Sequence, residues 1–155
     1  MYKIPVSVLV VIHTLDLQVL LLERADHPGY WQSVTGSQNK GETFQQTALR
    51  EIREETGLDP FDHQLLDWKT ENRYEIFKEW RWRYAPDVTH NIEHVFSLCL
   101  SEKKSITIAP KEHLSYLWLP LKQAADKVFS WSNAEAILHL PQHRNESSQY
   151  SLSPT

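Results

Sequence analysis

Apolar positions cluster near the start of the chain in two short runs. Val6 to Ile12 is dense in β-branched residues, and Val19 to Leu22 follows after a break at Thr14 to Gln18. Both runs are too short for a helix and read as buried strands. The pattern then changes. Thr43 to Thr56 contains neither Gly nor Pro and carries the strong helix formers Ala48, Leu49 and Glu51. It is followed by Gly57, which suits a left-handed cap, so the segment predicts a helix. Further strands are expected at Leu65 to Tyr74, His94 to Leu100, Ile106 to Ile108 and Tyr116 to Leu119. The last ends at Pro120, and Leu121 to Phe129 and Asn133 to Leu140 read as helices. Trp80 to Tyr84 alternates aromatic and basic residues. Such interleaving occurs in single-strand nucleic-acid binders, but a half-buried strand with its arginines on one face explains it more simply. The elements together predict a mixed sheet with helices packed on it, an α/β or α+β domain.

Composition narrows the class. With 155 residues, 41% of them hydrophobic, the chain has material for one core, and a single domain over residues 1–140 is expected. Residues 141–155 are polar and Ser-rich and read as a flexible tail. The net charge of -4 gives no field that would draw the chain to nucleic acid or an anionic membrane, so neither is expected as a partner. The apolar start ends at His13, well short of the roughly 20 residues of a membrane span. Cys99 has no partner for an internal disulfide, which fits a reducing compartment. A cytoplasmic protein is expected, with a monomer favoured. The 8 histidines form no spaced metal pattern.

Candidate chemistry gathers around the predicted helix. Gly36, Gly41 and Gly57 are three of only 4 glycines, and all flank or enter it. At about 100° per residue, Glu51, Glu54 and Glu55 share one arc, while Ala48, Leu49 and Ile52 occupy the neighbouring one. Like charges at that spacing repel, so a compensating cation is implied. Magnesium suits carboxylate oxygens and is commonly shared with substrate phosphates. A bare Glu-x-x-Glu-Glu is more often a solvated face than a metal site, and the flanking residues decide between the two.

Those flanks resemble the Nudix box at every specified position. Gly36 is followed after five residues by Glu42 and after seven more by Arg50, Glu51 and apolar Ile52; Glu54, Glu55, Gly57 and apolar Leu58 complete it. The resemblance implies a loop-helix-loop element in an α/β/α sandwich that hydrolyses a diphosphate linkage. It implies that Glu51, Glu54 and Glu55 bind magnesium, with manganese able to substitute, that Arg50 orients a carboxylate, and that Gly36, Glu42 and Gly57 support the loop and helix. Glu112, in the loop before Leu114, is the metal-ligand and general-base candidate outside the box. Segments beyond the box resemble a bacterial, folate-pathway branch of the family that acts on a dihydropterin triphosphate. They include Trp31 to Gly36, Tyr74 to Phe77, Arg83 to Pro86 and Ser130 to Asn133. That likeness implies substrate contacts at Lys3, Arg24, Thr35, Tyr74, Glu75, Ile76, Phe77 and Ser130. A flat pterin requires stacking surfaces, for which Trp31 and Phe77 are candidates, and a triphosphate requires cations such as Lys3, Arg24 and Lys40. The alternatives are another Nudix activity, on oxidised nucleoside triphosphates or dinucleoside polyphosphates, and a non-catalytic binding module of the same fold.

Overall fold

A computed structural model describes residues 1–60 and 64–143. In chain order it contains β1 (Val6–Thr14), β2 (Gln18–Arg24), β3 (Trp31–Gln32), β4 (Val34–Ser37), α1 (Phe44–Thr56), β5 (Leu65–Glu75), β6 (His90–Leu100), β7 (His113–Pro120), α2 (Leu121–Lys127) and α3 (Trp131–Leu138). The seven strands form one mixed sheet in the order β3-β2-β1-β6-β5, with β4 paired to β1 and β7 to β2. β1 runs parallel to β6 along its whole length. Its first half also pairs antiparallel with β4, and its last residues meet β2.

Alternation along β1 divides the interior in two. Val8, Val10 and Ile12 point to one face and pack with Ala48 and Ile52 of α1 and with Phe96 and Leu98. Leu9 and Val11 point to the other and pack with Ala124, Ala136 and Ile137 of α2 and α3. This two-sided burial explains why the middle of β1, Val8 to Ile12, is entirely apolar. The helix α1 begins at a full capping box, in which Thr43 accepts from the Gln46 amide and the Gln46 side chain accepts from the Thr43 amide. It ends at Gly57 with φ 75°, the left-handed cap foreseen from the sequence.

Two expected strands are absent. Residues 106–108 form no strand; Ile106 is buried against the α1-side core and the Thr107 amide donates to Thr56 O. That apolar run plugs the end of α1 rather than joining the sheet. Residues 80–83, expected in a half-buried strand, lie instead in a 3₁₀ helix, Lys78–Arg83. The Trp80 amide donates to Phe77 O, and Arg81 turns back onto Ile76 O and Glu75. Side chains three apart therefore share a side, which five alternating residues alone could not reveal. Helical backbone also continues through 140–143, beyond the boundary expected at residue 140, and His143 stacks on Trp68. The remainder of the expected tail, 144–155, lies outside the described residues.

Candidate active site

The box helix places its carboxylates at the rim of the sheet. Glu51 and Glu55, one turn apart on α1, are 8% and 1% exposed, whereas the Glu54 side chain is 55% exposed. Glu51 lies flat over β4: a Cβ on Gly36 would stand 2.1 Å from its carboxyl carbon. Arg50 holds Glu51 from the side, with Nη1 2.5 Å from Oε1, and its remaining nitrogens engage both oxygens of Glu42 and Ser37 O. Arg50 is thus placed beside the Glu51 carboxyl, and Glu42 between the loop before α1 and the helix. Glu42 also accepts from the Asn39 amide and the Thr47 hydroxyl, and Arg50 above all holds its carboxyl down to about 2.

Burial pushes the Glu55 carboxyl well up, and the neighbouring Glu51 reinforces the shift through a hydrogen bond and repulsion. Burial also raises Glu51, with Arg50 opposing. The pair therefore favours a state in which Glu55 keeps its proton beside Glu51. His113 Nε2 lies 3.4 Å from Glu55 Oε1, yet no hydrogen bond joins them and that oxygen has no donor. Burial lowers His113 to about 4, so it stands beside the carboxyl as a neutral ring rather than as an ion-pair partner. Among the described residues no three His, Cys, Asp or Glu side chains already stand as a ligand set. The buried pair nevertheless fits a divalent cation: it consists of hard oxygen donors, carries excess negative charge and has an orphaned oxygen.

Both carboxyls open into a cavity of about 990 Å³. Glu112 lines it too, and acts on Glu55 through repulsion. So do all eight residues expected to contact substrate, although they come from the N-terminal segment, three strands and the turns before the 3₁₀ helix and α3. Lys3 is tethered by its amide to Arg83 O; its ammonium is lowered by burial first, then by Arg83, while Glu51 pulls it upward. Arg24 grips Asp26 through two 2.7 Å bonds, reaches Gln32 at 3.0 Å and lies 4.3 Å over the Trp80 ring. The Thr35 hydroxyl donates to Val8 O. Tyr74 is half-buried with its hydroxyl accepting from Asn91, and Glu75 pairs with Arg81. Ile76 is buried, Phe77 is 40% exposed, and Ser130 caps α3.

Three expected residues lie elsewhere. Glu54 does not line the cavity. Lys40 is exposed in the loop before α1, outside the cavity. Trp31 packs against the α2/α3-side core beneath Lys127 and presents no face to the cavity. The stacking wall is made by others: Phe77 and Trp80 are parallel at 5.1 Å, and Phe129 meets both edge-on. Arg83, which shares Asp26 with Arg24, adds a second guanidinium. Trp80, Phe129, Asn91 and Glu93 were not foreseen as site residues. For Glu93 a clue existed, since it puts a charge two residues before Val95 in an otherwise inward register.

The fold, the intact box and this cavity define a class, and residues 3–140 match the family described as NUDIX domain. The chain belongs to the Nudix family. It is 48% identical over 139 residues to the dihydroneopterin triphosphate diphosphatase of Escherichia coli (strain K12), a match spanning 88% of this chain and 91% of that protein. The enzyme of that name from Haemophilus influenzae is 45% identical over 88% of this chain and 87% of its own length. The solved structure of the Escherichia coli dihydroneopterin triphosphate pyrophosphohydrolase superposes with a TM-score of 0.85 at 45% identity, covering 92% of this chain and 99% of that one.

Proposed function

We propose that this chain hydrolyses dihydroneopterin triphosphate to dihydroneopterin monophosphate and pyrophosphate, a step of folate biosynthesis. The observation that carries the reading is the convergence on one cavity. Residues as distant in sequence as Lys3 and Ser130 meet the buried carboxylates of the box helix there, beside the aromatic rings of Phe77 and Trp80. The level of identity to two enzymes named for that substrate supports the same choice.

Each part of the cavity has a task. Lys3, Arg24 and Arg83 take the phosphates, Arg24 held rigid by Asp26 so that little ordering is left for binding. Phe77 and Trp80 cover the ring. Glu51 and Glu55, with Glu54 and Glu112 completing the set, would hold a magnesium ion, and manganese in its place. When bound, the ion offsets the carboxylate and phosphate charge and favours ionisation of water. Arg50 fixes Glu51, and Glu51, Glu55 and Glu112 are the groups available to take the water's proton. The cavity offers no Cys, so direct attack by water requires no covalent intermediate.

No described helix is long and apolar enough to cross a membrane. We place the protein in the cytoplasm as a monomer, with a small phosphorylated substrate and neither nucleic acid nor membrane as a partner. Pyrophosphate release with magnesium, measured in parallel on dihydroneopterin triphosphate, deoxynucleoside triphosphates and dinucleoside polyphosphates, tests the assignment. The pterin substrate should show the highest kcat/KM, and an equal profile across the three classes would refute the reading.

A further inference from the structure

Glu93 is a buried acid outside the box helix that the chemistry above does not use. Register places it: on β6 it stands opposite Ser7 of β1 and Asn72 of β5, on the face it shares with Asn91 and Val95. It is 4% exposed, lines the cavity, and has no ionic partner among the described residues. Hydrogen bonds from Ser132 and Asn72 hold the carboxyl, yet Oε1 meets no donor. Asn91 repeats the motif. Its Nδ2 donates to Ser7 Oγ at 2.8 Å and the Tyr74 hydroxyl at 3.0 Å, and in this orientation the buried Oδ1 has no donor. Two acceptors that the protein leaves open in one cavity are placed to receive N–H groups of a ligand.

We propose that Glu93 and Asn91 read the ring of the substrate, their free oxygens accepting the adjacent N–H donors of a 2-amino-4-oxopyrimidine edge while Phe77 and Trp80 cover its face. The inference deepens the proposed function and rests on it. A dihydropterin carries ring N3–H beside a 2-amino group, two adjacent donors for the free oxygens of Glu93 and Asn91. Guanine shares this edge. Adenine does not: its amino group adjoins an unprotonated ring nitrogen, which would set acceptor against acceptor. Glu93 therefore determines specificity without touching the bond that breaks. Burial lifts its carboxyl above the usual range, as expected of an acid whose partner arrives with the ligand.

The test compares wild type with Glu93→Gln and Glu93→Ala. It measures kcat and KM for dihydroneopterin triphosphate and dATP, equilibrium binding of neopterin by its fluorescence, and melting temperature. Glu93→Gln keeps the shape but turns one acceptor into a donor. It should raise KM for the pterin about 10- to 100-fold and weaken neopterin binding in step. Its kcat for the pterin and its melting temperature should stay near wild type, whereas KM for dATP should fall, because Gln sets a donor opposite the unprotonated ring nitrogen of adenine. Glu93→Ala is compared only if it melts cooperatively; otherwise the isosteric Glu93→Gln decides alone. A Glu93→Gln enzyme that keeps its preference for the pterin overturns the inference alone. So does an equal loss on both substrates with a lowered melting temperature, which marks a structural carboxyl. A wild type without preference for the pterin over dATP overturns the proposed function and the inference together.

Discussion

At the scale of single residues, burial separates side chains that share one motif. Glu54 and Glu55 are neighbours in the box, but Glu55 is 1% exposed and opens into the cavity, whereas the Glu54 side chain is 55% exposed and lies outside it. A carboxylate confined in a poorly solvated pocket acts on nearby charge far more strongly than one facing water. We therefore predict that Glu55→Gln lowers kcat by roughly 100-fold or more at saturating magnesium, and Glu54→Gln much less. The isosteric change at Glu55 removes a buried group that repels Glu51, so the melting temperature of the free protein should not fall. Steady-state kinetics and thermal melts of both variants check this, and equal kinetic losses would show that exposure in the free protein does not rank the ligands. Helical spacing put all three glutamates on one arc, but it could not rank them, because burial depends on how α1 docks against β4.

At the scale of elements, the same docking explains Gly36. Its φ is not in the left-handed region, so the backbone there would accept alanine and even gain from a less flexible unfolded chain. What forbids a side chain is Glu51, whose carboxyl carbon would lie 2.1 Å from the new Cβ. Arg50 pins that carboxyl from the other side, so Glu51 must leave its place rather than slide. Gly36→Ala should fold with a melting temperature within a few degrees of wild type and lose more than about 10-fold in kcat/KM, a split between stability and activity that melts and kinetics read together. A large loss of stability with activity retained in the folded fraction would place the role of Gly36 in the backbone. Elements with their own local chemistry were legible in the sequence. α1 was recognisable from its composition and its glycine stop, and β1 and β2 from dense β-branched runs. Residues 106–108 and 80–83 were misread for one reason: short apolar or alternating runs state that side chains are buried or two-faced, not which backbone achieves it. Phe77 was legible as a stacking surface, but Trp80 and Phe129 were not, since Phe129 reaches Phe77 and Trp80 only through tertiary folding.

At the scale of the whole molecule, the two cores on opposite faces of the sheet hold the centre, and ion pairs hold the rim of the cavity to it. Glu42 ties the loop before α1 to Arg50 of the helix, and Asp26 ties the end of β2 to Arg83 of the 3₁₀ helix. Both carboxyls are held down to about 2, Glu42 chiefly by Arg50 and Asp26 chiefly by Arg24. For a carboxyl whose folded pKa is depressed, the unfolded chain binds the proton more readily. The stability it contributes is then complete above the unfolded values of 4.5 and 3.8, and is lost as pH falls through them toward about 2. We predict that Glu42→Gln is less stable than wild type by about 1 to 2 kcal/mol at pH 7, a figure reduced from the full linkage value because the pair is partly solvated. The gap should narrow below pH 4.5 and close only below about pH 2, where the wild-type carboxyl also becomes neutral. Urea unfolding of the two proteins across that range gives the answer. A gap that stays constant down to pH 2 would mean that Glu42 stabilises through packing and neutral hydrogen bonds to Asn39 and Thr47, not through its charge on Arg50.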